Sequence, residues 1–371
     1  MCQTLPRLVL TAVFVLGASR TMAFDQVGWL REVTEPPKDP VLEAAGMIVP
    51  LLPENIESPA TLENWQSQRH VVRERWLEFL GPMPAPPPMD MRTIRSERVD
   101  NVERILVEYA GEPGLRVQGY LLLPSHRTPL PNGGKASGRR PGIVALHETT
   151  RATIDDIAGV SGHPSMQLGL KLAGRGFVVF CPRCFLWQDA TTLDDAVQTH
   201  QRRHPRTLGI AKMLYEASRG VDLLRSLEEV DPDRIGSIGH SLGAKEVLYL
   251  AAFDERVRVS VASEGGLGFR STNWDAPWYL GPAIRDPDFQ LNHHQLLALA
   301  APRPLLIVGG EAGPGAADGE RSWVLLEASL PVWKLYPGPV RLGLLNHHQG
   351  HSIPDAAFER MAEWLRVYLG P

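Results

Sequence analysis

The stretch GHSLG at residues 239–243 sets a serine between two glycines, and it is the first place in this sequence where chemistry could be done. A serine hydroxyl is a weak nucleophile at neutral pH and needs a general base within hydrogen-bond reach. Three histidines stand together near the C-terminus in NHHQGHSIP: His347, His348 and His351. Carboxylates that could orient such a base are Glu264 in VASEGG, and Glu311, Asp318 and Glu320 in GGEAGPGAADGERSW. Together these residue types support acyl transfer. Serine attacks a carbonyl, imidazole carries the proton to the leaving group, and the carboxylate fixes the imidazole tautomer without taking its proton.

The elements around the serine decide whether the motif is chance. RIGSIGH reads as an apolar strand that runs straight into Gly-x-Ser-x-Gly, and AKEVLYLAAF reads as the helix that follows. That context turns a small-residue turn into a nucleophile elbow centred on Ser241. Gly239 and Gly243 leave room for the tight turn. The new helix points its first amides towards the serine, where negative charge would develop, so Leu242 N–H is one expected oxyanion donor.

From Pro141 onward, apolar strands alternate with helices: GIVALHE, FVVFCP, RIGSIGH, VRVSVAS, RPLLIVGG and VRLGLLNH are the strands. Strands apolar throughout and bounded by helices predict a mostly parallel sheet buried on both faces. Upstream, RTIRSERV, ERILVEYA and LRVQGYLLLP predict antiparallel strands joined by turns. Residues 24–90 read as an N-terminal arm with one helix, TLENWQSQRHVVRERWLEFLG, and residues 91–371 as one α/β domain.

On GHSLGAKEVLYLAAFDERV and the strand–helix rhythm, residues from about 110 to 371 resemble the α/β-hydrolase superfamily, in its dienelactone-hydrolase-like and acetyl-xylan-esterase-like branch. The resemblance implies the chain order nucleophile, acid, histidine. The base belongs in a loop before the last helix in a Gly-His context, which selects His351, with His347 and His348 as alternatives. The acid belongs after the penultimate strand, which selects Asp318, with Glu264 on the preceding strand as the alternative. The second oxyanion donor belongs after GIVALHE. There His147-Glu148-Thr149 replaces the His-Gly of related sequences, so Thr149 or Glu148 must supply the amide, and His147 reads as a loop-fixing residue.

An insertion at about 265–295 is too long for a turn and falls where such hydrolases carry lids. Trp274 and Trp278 in it are expected to stack on substrate or to pack the lid. Lys245, one turn into the elbow helix, is expected to support a substrate carboxylate or to pair with Glu246 or a neighbouring loop. Arg270, Phe185 and Trp187 are further candidates at the mouth.

The small net charge of −4, without a basic run, argues against nucleic acid as a partner. No motif calls for a cofactor or a metal; the adjacent His293 and His294 seldom face one ion together. Residues 1–23 have the layout of a secretory signal: MCQTLPR, the apolar LVLTAVFVLGA, then SRTMA with cleavage expected after Ala23. A periplasmic or secreted protein without stable membrane insertion follows. In that setting Cys181 and Cys184, in FCPRCF, are expected to form a small disulfide or to stay as free structural thiols. The expected activity is an exported serine esterase acting on a small-molecule or carbohydrate ester. A peptidase or lactone hydrolase is the alternative of like mechanism, and an inactive binding protein the alternative of a different class.

Overall fold

The computed structural model describes residues 26–38, 48–52, 60–125, 138–188 and 190–370. The expected signal segment lies outside the described residues. The arm contributes α1 (Leu30–Thr34) and α2 (Leu62–Leu80). Strands β1 (Met91–Val99), β2 (Val102–Glu112), β3 (Leu115–Pro124) and β4 (Arg140–Leu146) follow. After them come α3 (Ile154–Ile157), α4 (Leu168–Ala173), β5 (Val178–Pro182), α5 (Leu193–Arg203) and α6 (Gly209–Ser226). The rest is β6 (Val230–His240), α7 (Leu242–Phe253), β7 (Val257–Ser263), α8 (His293–Ala300), β8 (Leu305–Gly309), α9 (Trp323–Trp333), β9 (Leu342–Asn346) and α10 (Asp355–Leu369).

The nine strands form one sheet in the order β1-β2-β3-β5-β4-β6-β7-β8-β9. The three N-terminal strands are antiparallel and join through β3 to β5; from β5 onward the pairs are parallel. Side chains alternate across the pleat, so each apolar strand feeds two cores. On β4, Val144 and Leu146 face the layer built on α2, α6, α7, α8 and α9, while Ile143 and Ala145 face the layer built on α1, α3, α4 and α10. Both faces of the sheet are therefore covered.

The arm differs from the single helix expected. Trp65, Val72, Trp76 and Leu80 of α2 are buried as one stripe, but the short α1 adds a second contact. Trp29 before it stacks on Trp364 at 5.7 Å and donates to Glu363 at 2.8 Å. A five-residue helix spans too few turns to show a periodic stripe, so its sequence gives no sign of it.

The loops after β4, β6, β7, β8 and β9 leave the sheet at its carboxyl edge, where α/β sheets bind ligands. They carry His147, Ser241, Glu264, Asp318 and the C-terminal histidines respectively. At the centre, a Cβ on Gly239 would lie 2.3 Å from the carbonyl of Gly243, and one on Gly243 would lie 2.1 Å from the Leu146 carbonyl. These are backbone atoms with nowhere to move. Gly239→Ala should therefore cost at least the ~1–3 kcal/mol typical of overpacking, read as a lowered urea midpoint with unchanged slope. A variant as stable as the parent would contradict this packing.

Candidate active site

Ser241 sits between β6 and α7 with φ 57° and ψ −115°, a backbone conformation that L-residues rarely adopt. Its own amide is tied to Ser263 O at 2.8 Å, which fixes the turn against the neighbouring strand. The serine is half-buried among buried neighbours. Leu242 and Gly243 open α7, where the first amides have no intrahelical acceptor.

His351 lies with its ring against that of His240, the residue before the serine, at 4.7 Å between centroids. His351 Nδ1 faces Glu264 Oε2 at 3.9 Å. His347 Nε2 faces the other oxygen, Oε1, at 3.3 Å. His348 is exposed and faces Glu311 at 3.6 Å. Glu264 is 1% exposed and held by the amides of Gly310 (2.6 Å), Ala317 (2.9 Å) and Asp318 (3.4 Å). Burial pushes its pKa up, but His347, His351 and the Ala317 and Gly310 amides outweigh burial and bring it down to about 2. It is an anion at neutral pH.

Asp318, the carboxylate expected behind the histidine, is placed elsewhere. Its oxygens accept from Gly266 N (2.9 Å), Leu267 N (3.0 Å) and Ser322 Oγ (2.6 Å). The loop after β8 turns this side chain back towards the lid, so it braces the loop after β7 and does not face the imidazole. Burial pushes the Asp318 carboxyl up, and the neighbouring Glu264 charge adds to this against the hydrogen bonds. The carboxylate that the structure brings to the histidines is Glu264, the expected alternative.

The loop after β4 is fixed by His147, whose Nε2 accepts from Cys184 N at 3.1 Å and whose Nδ1 contacts Glu148 O at 2.8 Å. With both nitrogens engaged and burial holding its pKa at about 4, His147 orders the loop and takes no part as a base. Glu148 is half-buried and Thr149 exposed on this loop. Burial raises the Glu148 carboxyl, and His351 pulls it back down.

The substrate-binding expectations change most. Lys245 is 4% exposed, and its Nζ donates to Gly265 O at 2.6 Å and to Thr272 Oγ1, over the Trp274 ring at 3.9 Å. It pins the lid and is enclosed by it, instead of facing a substrate or Glu246. Trp274 is fully buried, with its Nε1 on Gly266 O. An indole in that position packs lid onto body and offers no sugar platform. Trp278 is half-buried. The segment between β7 and α8 holds a cavity of about 430 Å³ lined by Phe269, Arg270, Thr272, Ile284 and Phe289. Cys181 and Cys184 are free, buried thiols, both pushed up by burial. His293 is spent on Leu267 O and Tyr249 Oη, and His294 on Val49 O.

His240 escaped notice in the sequence although it occupies the variable position before the serine. Its Nδ1 contacts Ser263 Oγ at 3.1 Å, and burial first, then the nearby His351, bring its pKa down to about 3. It is a neutral wall for His351.

A nine-stranded, mostly parallel sheet with a strained serine at the end of a central strand is the architecture of the α/β-hydrolase fold. Residues 134–301 match the Dienelactone hydrolase family. The Bacillus subtilis (strain 168) protein YtaP is 23% identical over 250 residues, 64% of this chain and 79% of that one. Solved structures share the fold. A glucuronoyl esterase from Solibacter usitatus superposes with a TM-score of 0.65 at 17% identity, covering 88% of this chain and 99% of that one. A CE15 glucuronoyl esterase from Teredinibacter turnerae T7901 gives 0.62 at 18% identity, covering 90% and 93%. An acetyl xylan esterase from Paenibacillus sp. R4 gives 0.50 at 15% identity, covering 86% and 97%.

Burial brings the pKa of Lys245 down to about 7, against a partial rise from Asp318. The unfolded chain, with an ordinary lysine near 10.5, then binds more protons than the native state between these values. Stability therefore rises with pH across that window. Urea unfolding from pH 6 to 10 should show this rise, and Lys245→Met should lack it. Parallel profiles for the two proteins would refute the buried, depressed lysine.

Proposed function

We propose that this chain is a serine carboxylic ester hydrolase in which Ser241 is the nucleophile, His351 the base and Glu264 the acid. The observation that carries the reading is Glu264, anionic and buried, facing His351 Nδ1 at the same sheet edge as the strained Ser241. With the proton kept on Nδ1, His351 Nε2 is free to take the serine proton. Serine Oγ then attacks the ester carbonyl, and Leu242 N–H, with the amide of Thr149 or Glu148, stabilises the oxyanion. The intermediate collapses to an acyl-serine as His351 Nε2–H protonates the departing alcohol. Water, deprotonated by the same nitrogen, attacks the acyl-serine. The acid leaves and the serine is restored.

For the substrate we infer an acylated carbohydrate. The fold neighbours named as glucuronoyl and acetyl xylan esterases support this class. So does the secretory layout of residues 1–23, which also supports a periplasmic or secreted location.

The mature protein should hydrolyse 4-nitrophenyl acetate and release acetate from acetylated xylan, while an aminoacyl nitroanilide stays intact. Ser241→Ala should lose about 10³-fold or more in kcat. Absence of ester turnover together with absence of fluorophosphonate labelling at Ser241 would refute the enzyme. Preference for the nitroanilide would make it a peptidase.

The two carboxylates separate cleanly. Glu264→Gln should lower kcat by about 10²–10⁴-fold, as expected when the group orienting the base is neutralised. Asp318→Asn should lower the melting temperature and keep most of kcat. The reverse order of losses would return the acid's role to Asp318.

A further inference from the structure

Glu264 serves two histidines, and only one of them has been given a role. His347 begins the loop after β9, and its amide continues the sheet ladder to Gly309 O at 2.9 Å. Its side chain is 6% exposed. The Gln349 amide donates to His347 Nδ1 at 3.2 Å, so that nitrogen carries a lone pair and the proton sits on Nε2. Nε2 is the atom that faces Glu264 Oε1 at 3.3 Å.

The two carboxylate oxygens thus divide their work. Oε1 takes Gly310 N and faces His347 Nε2, while Oε2 takes Ala317 N and faces His351. The His351 contact, at 3.9 Å, is longer than a hydrogen bond. Until an imidazolium forms, other partners must keep the carboxylate aimed. A second histidine is safe beside it only while neutral, since a charged one would draw the anion away from His351. The Gln349 amide enforces that neutrality, because a proton on Nδ1 would meet its N–H.

We propose that His347 is a positioning residue, a tautomer-locked neutral donor that aims Glu264 at His351 and keeps the carboxylate from competing for the catalytic proton. The proposal rests on the Ser241–His351–Glu264 reading. It also accounts for the choice of base, since His347 Nδ1 is held by the Gln349 amide and Nε2 is turned to Glu264.

Replacing His347 by a group without a donor leaves Glu264 more basic and its aim looser. A more basic carboxylate holds the His351 imidazolium more strongly, so the acidic limb of kcat/KM moves to higher pH. The other titratable groups around the pair are His240 against His351, Asp318 across the two loops, and Glu148 acting on His351. All are retained in the variants.

With 4-nitrophenyl acetate, His347→Phe should lose about tenfold or more in kcat with KM within about twofold, and its acidic limb should rise. His347→Gln, which keeps an N–H donor, should recover most of kcat and the parental limb. An unmoved limb with parental kcat in His347→Phe, or no recovery in His347→Gln, overturns the proposal. Imidazole ¹⁵N shifts of the unmodified protein at pH 7.5 test it without any variant. They should show His347 protonated on Nε2 and bare at Nδ1, and a proton on Nδ1 overturns it. If the unmodified protein hydrolyses no ester, the esterase reading fails. If it does and His347→Phe matches it, only this inference fails.

Discussion

Two buried carboxylates exchanged between neighbouring loops hold the carboxyl edge of this sheet together. Glu264 leaves β7 and collects amides from the loop after β8; Asp318 leaves the loop after β8 and collects amides from the loop after β7. An unpaired carboxylate at this depth would cost several kcal/mol. Neither loop can move without stripping donors from a buried charge in the other. The consequences spread outward. His351 hangs its amide on Pro314 O in the β8 loop, Leu267 O accepts from His293, and Gly265 O accepts from Lys245. The loops after β7, β8 and β9 share one frame.

That frame also supports backbone strain. Ser241, Glu264 and His348 all adopt positive φ, at 57°, 58° and 56°, and such residues cost about 1–3 kcal/mol each. The cost is offset by strand-to-strand bonds made at the same positions, Ser241 N to Ser263 O and Glu264 N to Val308 O, both 2.8 Å. Gly239 and Gly243 let β6 and α7 approach at backbone contact. Ser241 and Glu264 are thus held on adjacent strand ends in conformations that a free loop would abandon.

The sheet and the elbow were legible in the sequence because both depend on local patterns. Alternating apolar strands and helices, and Gly-x-Ser-x-Gly between a strand and a helix, need no tertiary information. The carboxylate that faces the histidines was not legible in this way. Asp318 lies on the expected loop, and only the crossing of that loop with its neighbour shows that its side chain points to Gly266 and Leu267. Trp274 and Lys245 illustrate the same limit, since an indole or an ammonium in an insertion has one residue type whether it meets substrate or packs inward. His240 sat in a motif position that tolerates any residue, and α1 was too short to carry periodicity.

A site crowded with histidines can serve the proposed base catalysis only if the wrong imidazoles are kept from the proton. Here their hydrogen-bond partners and burial do the sorting. His147 spends both nitrogens on Cys184 N and Glu148 O, and His293 spends both on Tyr249 and Leu267. His240 is buried and held neutral, with a pKa of about 3. His347 is divided between Gln349 N and Glu264. His348 is turned out to Glu311. His351 alone of these faces the buried anion through Nδ1, is partly exposed, and has no protein partner for Nε2 among the described residues. His351 is therefore set apart from its neighbours by what occupies their nitrogens. On the proposed Ser241–His351–Glu264 reading, a substitution that frees one of those nitrogens adds a competitor for the proton, even where it leaves those three residues untouched.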